Sequence, residues 1–235
     1  MTATATPTTA RSLQQIAPNV TSKVKDGDLV TAQKGLIGVG VVLALLGYFL
    51  GKHGELSYLV GYMGVLGIAL CALFFTMIQH ITRAGWSVSV RRLAENMTGT
   101  LPFMLLLFIP IIIGFGEIFG HWSHKWNLEK GAEGYDAIIA GKSSYLNPTF
   151  FFVRVAIYFA IWIGLATFFR KQSIKQDESG DPAISMKMSR VAAPGLLLFA
   201  LSITFAAFDW IMSIDPHWFS TIFGITYFAG GFMSF

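Results

Sequence analysis

The sequence predicts an all-α fold, a polytopic transmembrane bundle of about six spanning helices with its N-terminus in the cytoplasm. Three observations predict it. Hydrophobic residues make up 54% of the 235 residues and charged residues only 13%, against about 25% charged in an average soluble domain, and mean hydropathy is +0.58. The charges are gathered in short connectors between long apolar runs, each near the ~20 residues a spanning helix needs. Finally, Lys and Arg are shared unequally between alternate connectors.

The chain begins MTATATPTTARSLQQIAPNV, polar and without apolar periodicity, so residues 1–33 read as a flexible cytoplasmic tail. No apolar stretch precedes about Gly35, which argues against a cleaved signal peptide. A transmembrane domain follows over 34–235, with runs at roughly 34–51, 56–79, 100–120, 149–169, 191–213 and 217–235. On one side lie Arg11, Lys23, Lys25 and Lys34 of the tail, Arg83, Arg91 and Arg92 of the second connector, and Arg170, Lys171, Lys175, Lys187 and Arg190 of the fourth. Only Lys52, Lys125, Lys130 and Lys142 lie on the other, and the positive-inside rule makes the richer side cytoplasmic.

Within these runs, Trp86, Val90, Leu93 and Met97 recur on one face of a helical segment while Arg83, Ser87, Arg91 and Glu95 take another. That pattern predicts an interfacial helix on the cytoplasmic surface, either a head-group anchor or a docking site for a partner. Gly47 with Gly51, Gly61 with Gly64 and Gly67, and Gly116 with Gly120 predict close helix crossings. Pro110, inside the third run, predicts a kink and a loosened carbonyl one turn earlier. The chain ends at Phe235 inside an apolar run, as expected of a fragment truncated within its sixth helix.

Composition and motifs exclude several functions. The pI near 9.2 comes from the connectors, with no basic stripe interleaved with exposed aromatics, so nucleic acid is not an expected partner. Cys71 is the only cysteine, which removes an intramolecular disulfide, CxxC metal or iron–sulfur sets and covalent CxxCH haem attachment. None of the five histidines lies mid-span, so a b-type haem is not expected; His53 and His80, at span ends, should face head groups.

Three successive spans carry a charge near the outer end: Glu117, Arg154 and Asp209. At 1.5 Å per residue they lie ~6 to 8 Å below their helix ends and could share one layer. Charges at that depth are expensive, so pairing, a wet cavity or function is the default expectation. His121, His124, Asp215 and His217 add titratable groups just outside the layer, with Trp122, Trp126, Trp210 and Trp218. Such an array could accept and pass protons. Plainer readings stand beside it: Asp215 before Pro216 as a helix N-cap, the tryptophans as an interfacial belt, and Glu117 with Arg154 as a structural ion pair.

The segment Phe208, Asp209, Trp210, Ile211, Met212, Ser213, Ile214, Asp215, Pro216, His217, Trp218, Phe219, Ser220, Thr221, Ile222, Phe223, Gly224 resembles the second NrfD-like membrane subunit of bacterial alternative complex III. Thr82 through Trp86 and Arg91 through Glu95 are similar to a stretch shared more widely among NrfD-like proteins. The resemblance implies a multi-pass subunit of the bacterial inner (cytoplasmic) membrane within a quinol:cytochrome c oxidoreductase. It would anchor the complex and supply a proton pathway or part of a quinol-side cavity, with no redox centre of its own. The implied partners are membrane lipids, the other NrfD-like subunit, an iron–sulfur protein, c-type cytochromes and possibly a terminal oxidase. Haem and iron–sulfur clusters would sit on those partners; contact with quinol or menaquinol would be this subunit's share. The candidate proton-pathway residues are Asp209, Glu117, His217, Asp215, Arg154, His121 and His124. An independent secondary transporter and a purely structural anchor are the alternatives.

Overall fold

The helices of the computed structural model, which describes residues 26–51 and 53–235, follow in chain order with no strand among the described residues. Residues 1–25 of the expected tail and Lys52 lie outside the described residues. Five stretches are long and apolar enough to cross a membrane: Thr31–Phe49, Gly54–Thr82, Val90–Ile113, Pro148–Ser179 and Pro182–Ile214. The protein is thus a multi-pass membrane helix bundle.

Helix α1 (Asp26–Leu50) forms a compact unit by itself and begins inside the stretch read as tail. Its Leu36, Ile37, Val41, Val42, Leu43 and Leu46 are all exposed. A helix that exposes such an apolar run belongs in lipid.

The second unit is organised around α2 (Gly54–Thr82), whose Leu66, Leu70, Cys71 and Leu73 are fully buried. Arg83 ends α2 in the left-handed region at φ 50°, donating its N–H to the Gln79 carbonyl. Next come α3 (Val88–Thr98) and four short pieces: α4 (Leu101–Leu107), α5 (Ile109–Ile113), α6 (Phe115–Ile118) and α7 (Gly120–Ser123). An outer α8 (Ala137–Lys142) precedes the long helices α9 (Pro148–Ser179) and α10 (Pro182–Trp210), a 3₁₀ turn (Met212–Ile214) and α11 (Phe223–Ser234). Helix α10 packs on α9, α2 and α11.

Local chemistry sets the ends of the hairpin. Asn147 accepts from Phe150 N–H at 2.8 Å before Pro148 at the first helical position, and Asp181 accepts from Ala183 N–H at 2.9 Å before Pro182. Gly180, at φ 63°, closes α9 in a conformation that favours glycine. The connector between the fourth and fifth spans is therefore only Gly180–Asp181. Arg170, Lys171, Lys175, Lys187 and Arg190, expected in a connector, extend the helices instead, because such residues are good helix formers and the caps decide where helices stop.

The break predicted at Pro110 is present. Phe108 N–H turns back to Leu105 O at 3.3 Å, and Ile111 N–H to Phe108 O at 3.0 Å, so the carbonyls of Met104 and Leu107 lose their i+4 donors. Tyr62 and Tyr58 of α2 replace them, donating at 3.0 Å and 2.8 Å respectively. Backbone groups freed within lipid need such partners.

Most of the predicted glycine crossings are elsewhere. Gly47, Gly61 and Gly64 face open space, and Gly116 and Gly120 lie under His124 of their own segment. Gly67 does form a crossing, with Gly231 of α11: a Cβ on Gly231 would stand 3.1 Å from the Gly67 carbonyl. Gly224 sits equally close on Thr204, where a Cβ would meet backbone at 2.9 Å. The last apolar run, expected from 217, becomes helix only at Phe223, since residues 215–218 form a turn.

Candidate functional site

Asp209, in the last turn of α10, is fully buried and Arg154, in the second turn of α9, is 6% exposed. They meet in a bidentate pair: Nε to Oδ2 at 2.7 Å and Nη2 to Oδ1 at 3.0 Å. Tyr158, one turn beyond Arg154, donates its hydroxyl to Oδ2 at 2.6 Å. Arg154 also gives Nη1 to the Tyr145 carbonyl at 2.9 Å, and its guanidinium lies 3.9 Å from the Tyr145 ring and 4.4 Å from that of Phe150. Three donors on one carboxylate form a charge-assisted network of the strong class. Trp162 stacks on Tyr158 and Trp210 meets it edge to face, with Phe108 and Phe159 packed behind Trp210. Burial and the Asp209 carboxylate push the Tyr145 phenol well above its ordinary value.

Of the three expected layer charges, the structure joins two. Glu117 is exposed, and among the described residues no hydrogen bond or ion pair connects it to Arg154 or Asp209. Arg154 has Asp209, not Glu117, as its carboxylate, because the α9–α10 hairpin sets these two residues face to face.

His217 and Asp136 build a second group at the rim. His217 Nε2 lies 2.7 Å from Asp136 Oδ2, and its Nδ1 is 3.8 Å from Asp215 Oδ1. Asp136 caps α8 through Ile138 and Ile139 N–H. Desolvation raises the Asp136 carboxyl, but these two N–H groups and the His217 ring outweigh it and hold the group below its ordinary value. Asp215 does not cap a helix: it accepts from His217 N–H at 3.0 Å in an Asx turn, eight residues before α11 starts. His121 lies with its ring 5.7 Å from that of His217, whereas His124 folds over Gly116 and Gly120. Lys142 Nζ donates to the Pro216 carbonyl at 2.6 Å, pinning the 215–218 turn to α8.

Between the rim and the buried pair lies a cavity of about 540 Å³, lined by Lys142, Tyr145, Met212, Ser213, Pro216 and Trp218 among others. Tyr145 touches Arg154, and the Ser213 hydroxyl donates to the Asp209 carbonyl. The tryptophans do not form one belt: Trp122 and Trp210 are fully buried core residues, while Trp218 is exposed.

A further polar cluster, at the basic end, was not foreseen. Glu95 of α3 is 1% exposed and gathers Arg91 Nε at 3.3 Å, Arg92 Nη1 at 3.2 Å and the Ser173 hydroxyl at 2.6 Å. His80 does not face head groups; it is buried, stacked on Phe169, with Nε2 4.0 Å from Glu95. The cause is that α3 folds over the end of α2, with Trp86, Val90 and Leu93 pointing outward and Glu95 inward. The Arg91/Arg92/Glu95 spacing carried the signal, since i,i+3 and i,i+4 pairs share a helix face. Among the described residues, no group of three or more His, Cys, Asp or Glu is placed to hold a metal ion.

No family model matches the chain, and no curated protein matches it.

Proposed function

We propose that the protein is a membrane subunit of a quinol-oxidising respiratory complex of the alternative complex III kind, resident in the bacterial cytoplasmic membrane and without a redox centre of its own. The reading rests on the resemblance of the Phe208–Gly224 segment, and the observation that carries it furthest is the 540 Å³ cavity between a buried Arg–Asp–Tyr network and a His–Asp rim. Its size is in the range of small-molecule sites, and its lining is largely apolar with a few polar groups. That is the kind of lining a quinol ring needs beside a proton acceptor. In this reading His217 and Asp136 take a released proton toward water, and Arg154 and Asp209 hold the lining residues Tyr145 and Ser213 from behind.

The test is a mild-detergent pull-down of the tagged full-length protein with a redox difference spectrum and mass spectrometry. Co-purifying c-type haem, iron–sulfur protein and quinol oxidation support the reading. A colourless, solitary protein sinks it.

A purely structural anchor is favoured by one observation: both carboxylate oxygens of Asp209 are already engaged by Arg154 and Tyr158. Under that reading, His217→Gln leaves quinol turnover and proton release intact. Under the respiratory reading it slows both by about tenfold or more, the lower range of a lost acid–base group.

A further inference from the structure

The basic end holds a second cavity, of about 490 Å³, whose lining includes His80, Arg83, Arg91, Gln176, Asp177 and Ser185. Its charges are unevenly matched. Glu95 is shared by Arg91 and Arg92, and Asp177 is paired with Arg92, so these two acids are balanced by two arginines. Arg91 uses only its Nε for Glu95. Arg83, lining the same cavity, has no ion pair among the described residues.

The floor of the cavity is also unsatisfied. Gln79 is 7% exposed and His80 5%, and Gln79 Oε1, an acceptor that a bridging water could serve, and His80 Nε2, a ring nitrogen that can carry a proton, are buried without a hydrogen-bond partner. Buried polar atoms left unpaired in this way call for a ligand or an ordered water. The cavity stands where the apolar part of α2 ends, beside the exposed Trp86, at the level where a lipid carries its phosphate.

We propose that this cavity binds a phosphate-bearing anion, either the head-group phosphate of a membrane lipid or free inorganic phosphate, held by Arg83 and the free guanidinium edge of Arg91. Arginine suits the task because its fork matches two phosphate oxygens. Gln176 and Ser185 add neutral partners, and His80 Nε2 completes the floor directly or through a water. Basic pockets between helices on the cytoplasmic side are general sites for such head groups.

The experiment is native mass spectrometry of the full chain in mild detergent, titrated with phosphatidylglycerol or, separately, with inorganic phosphate. Arg83→Gln and Arg91→Gln should each weaken phosphatidylglycerol retention by about tenfold, with Arg83→Lys retaining most of it. Arg190→Gln, an exposed charge elsewhere on the same side, should have no effect. If inorganic phosphate alone binds wild type, displaces the lipid and loses affinity in Arg83→Gln, the source is the free anion and the site stands. Equal retention in wild type and Arg83→Gln, or an equal loss in Arg190→Gln, overturns it. Arg83 is exposed and ends a helix, so melting temperature is measured alongside to verify that the variant is folded.

Discussion

Replacing Asp209 by Asn keeps the shape of the side chain and removes the negative charge from the α9–α10 interface. In the protein, Oδ2 takes Arg154 Nε and the Tyr158 hydroxyl while Oδ1 takes Arg154 Nη2. The amide has one acceptor oxygen, so one guanidinium N–H must face an NH₂ group. Removing one partner of a buried pair costs about 3–5 kcal/mol, because the other charge stays buried and unpaired. Single interhelical hydrogen bonds in membranes are weaker, about 0.6–1.7 kcal/mol. The Asp209 network has three such bonds and a full charge, which favours the larger figure. Arg154 retains the Tyr145 carbonyl and two aromatic faces, which offsets part of the loss. The expected destabilisation of Asp209→Asn is about 3 kcal/mol. The double variant Arg154→Met with Asp209→Leu should lie within about 1 kcal/mol of wild type, since it removes the desolvation penalty along with the pair. SDS titration followed by far-UV circular dichroism reads both. A loss below about 1 kcal/mol for Asp209→Asn, or a double variant as poor as the two single changes added together, would refute the claim that this pair clamps the hairpin.

Three further outcomes are expected. Because the Asp136 carboxyl is lowered from 3.8, its contribution is present above that ordinary value and is lost as pH falls through the lowered one; hydrogen exchange should find the Ile138 and Ile139 amides protected at pH 5, and Asp136→Ala should expose them at pH 7. Gly224→Ala would drive a Cβ to 2.9 Å from the Thr204 backbone and should cost about 1–3 kcal/mol by overpacking, whereas Gly64→Ala, with open space around it, should be neutral or stabilising by up to about 1 kcal/mol in the same titration. Tyr62→Phe strips the donor from the buried Met104 carbonyl and should cost about 1–3 kcal/mol, more than Tyr58→Phe at its exposed counterpart.

Much of this was legible in the residues. Apolar runs of spanning length marked the membrane helices, Pro110 marked the broken span, and Arg154 and Asp209 were marked as charges with no reason to be in lipid unless paired. Their pairing was harder to read, because one arginine with two carboxylates at similar depth allows two couples. Only the hairpin register, fixed by Asn147–Pro148 and Gly180–Asp181–Pro182, selects Arg154 with Asp209 and leaves Glu117 outside. The glycine crossings failed for a related reason: a small residue permits approach but does not say which helix approaches, so Gly67 was found without Gly231. The cluster around Glu95 is not legible in the sequence because an amphipathic pattern reads as an interfacial helix, a head-group anchor or a partner's docking site, and does not say that the chain's own helices cover its charged face. Here Glu95 is covered by protein, and Arg91 and Arg92, both partly exposed, reach in to it.

The two polar clusters are related through α9. Arg154 stands near its first turns and Ser173 near its last, separated along the helix by roughly 28 Å at 1.5 Å per residue, close to the thickness of a hydrocarbon core. Each cluster therefore sits at one boundary of the apolar slab, and the helix between them, with Tyr158, Phe159, Trp162, Ala166 and Phe169 buried, carries no ionisable group other than Tyr158 on that face. A proton path straight down α9 would need a water chain through this aromatic stretch. The two ends are consequently separate: the Asp209 carboxylate is closed by its own donors, with the His217–Asp136 group at the rim beyond it, while the other end keeps Arg83 without an ion pair among the described residues and the buried Gln79 Oε1 and His80 Nε2 at a cavity. Loss of function in Asp209 variants that leaves anion binding at Arg83 untouched, and the converse, is the pattern this separation requires.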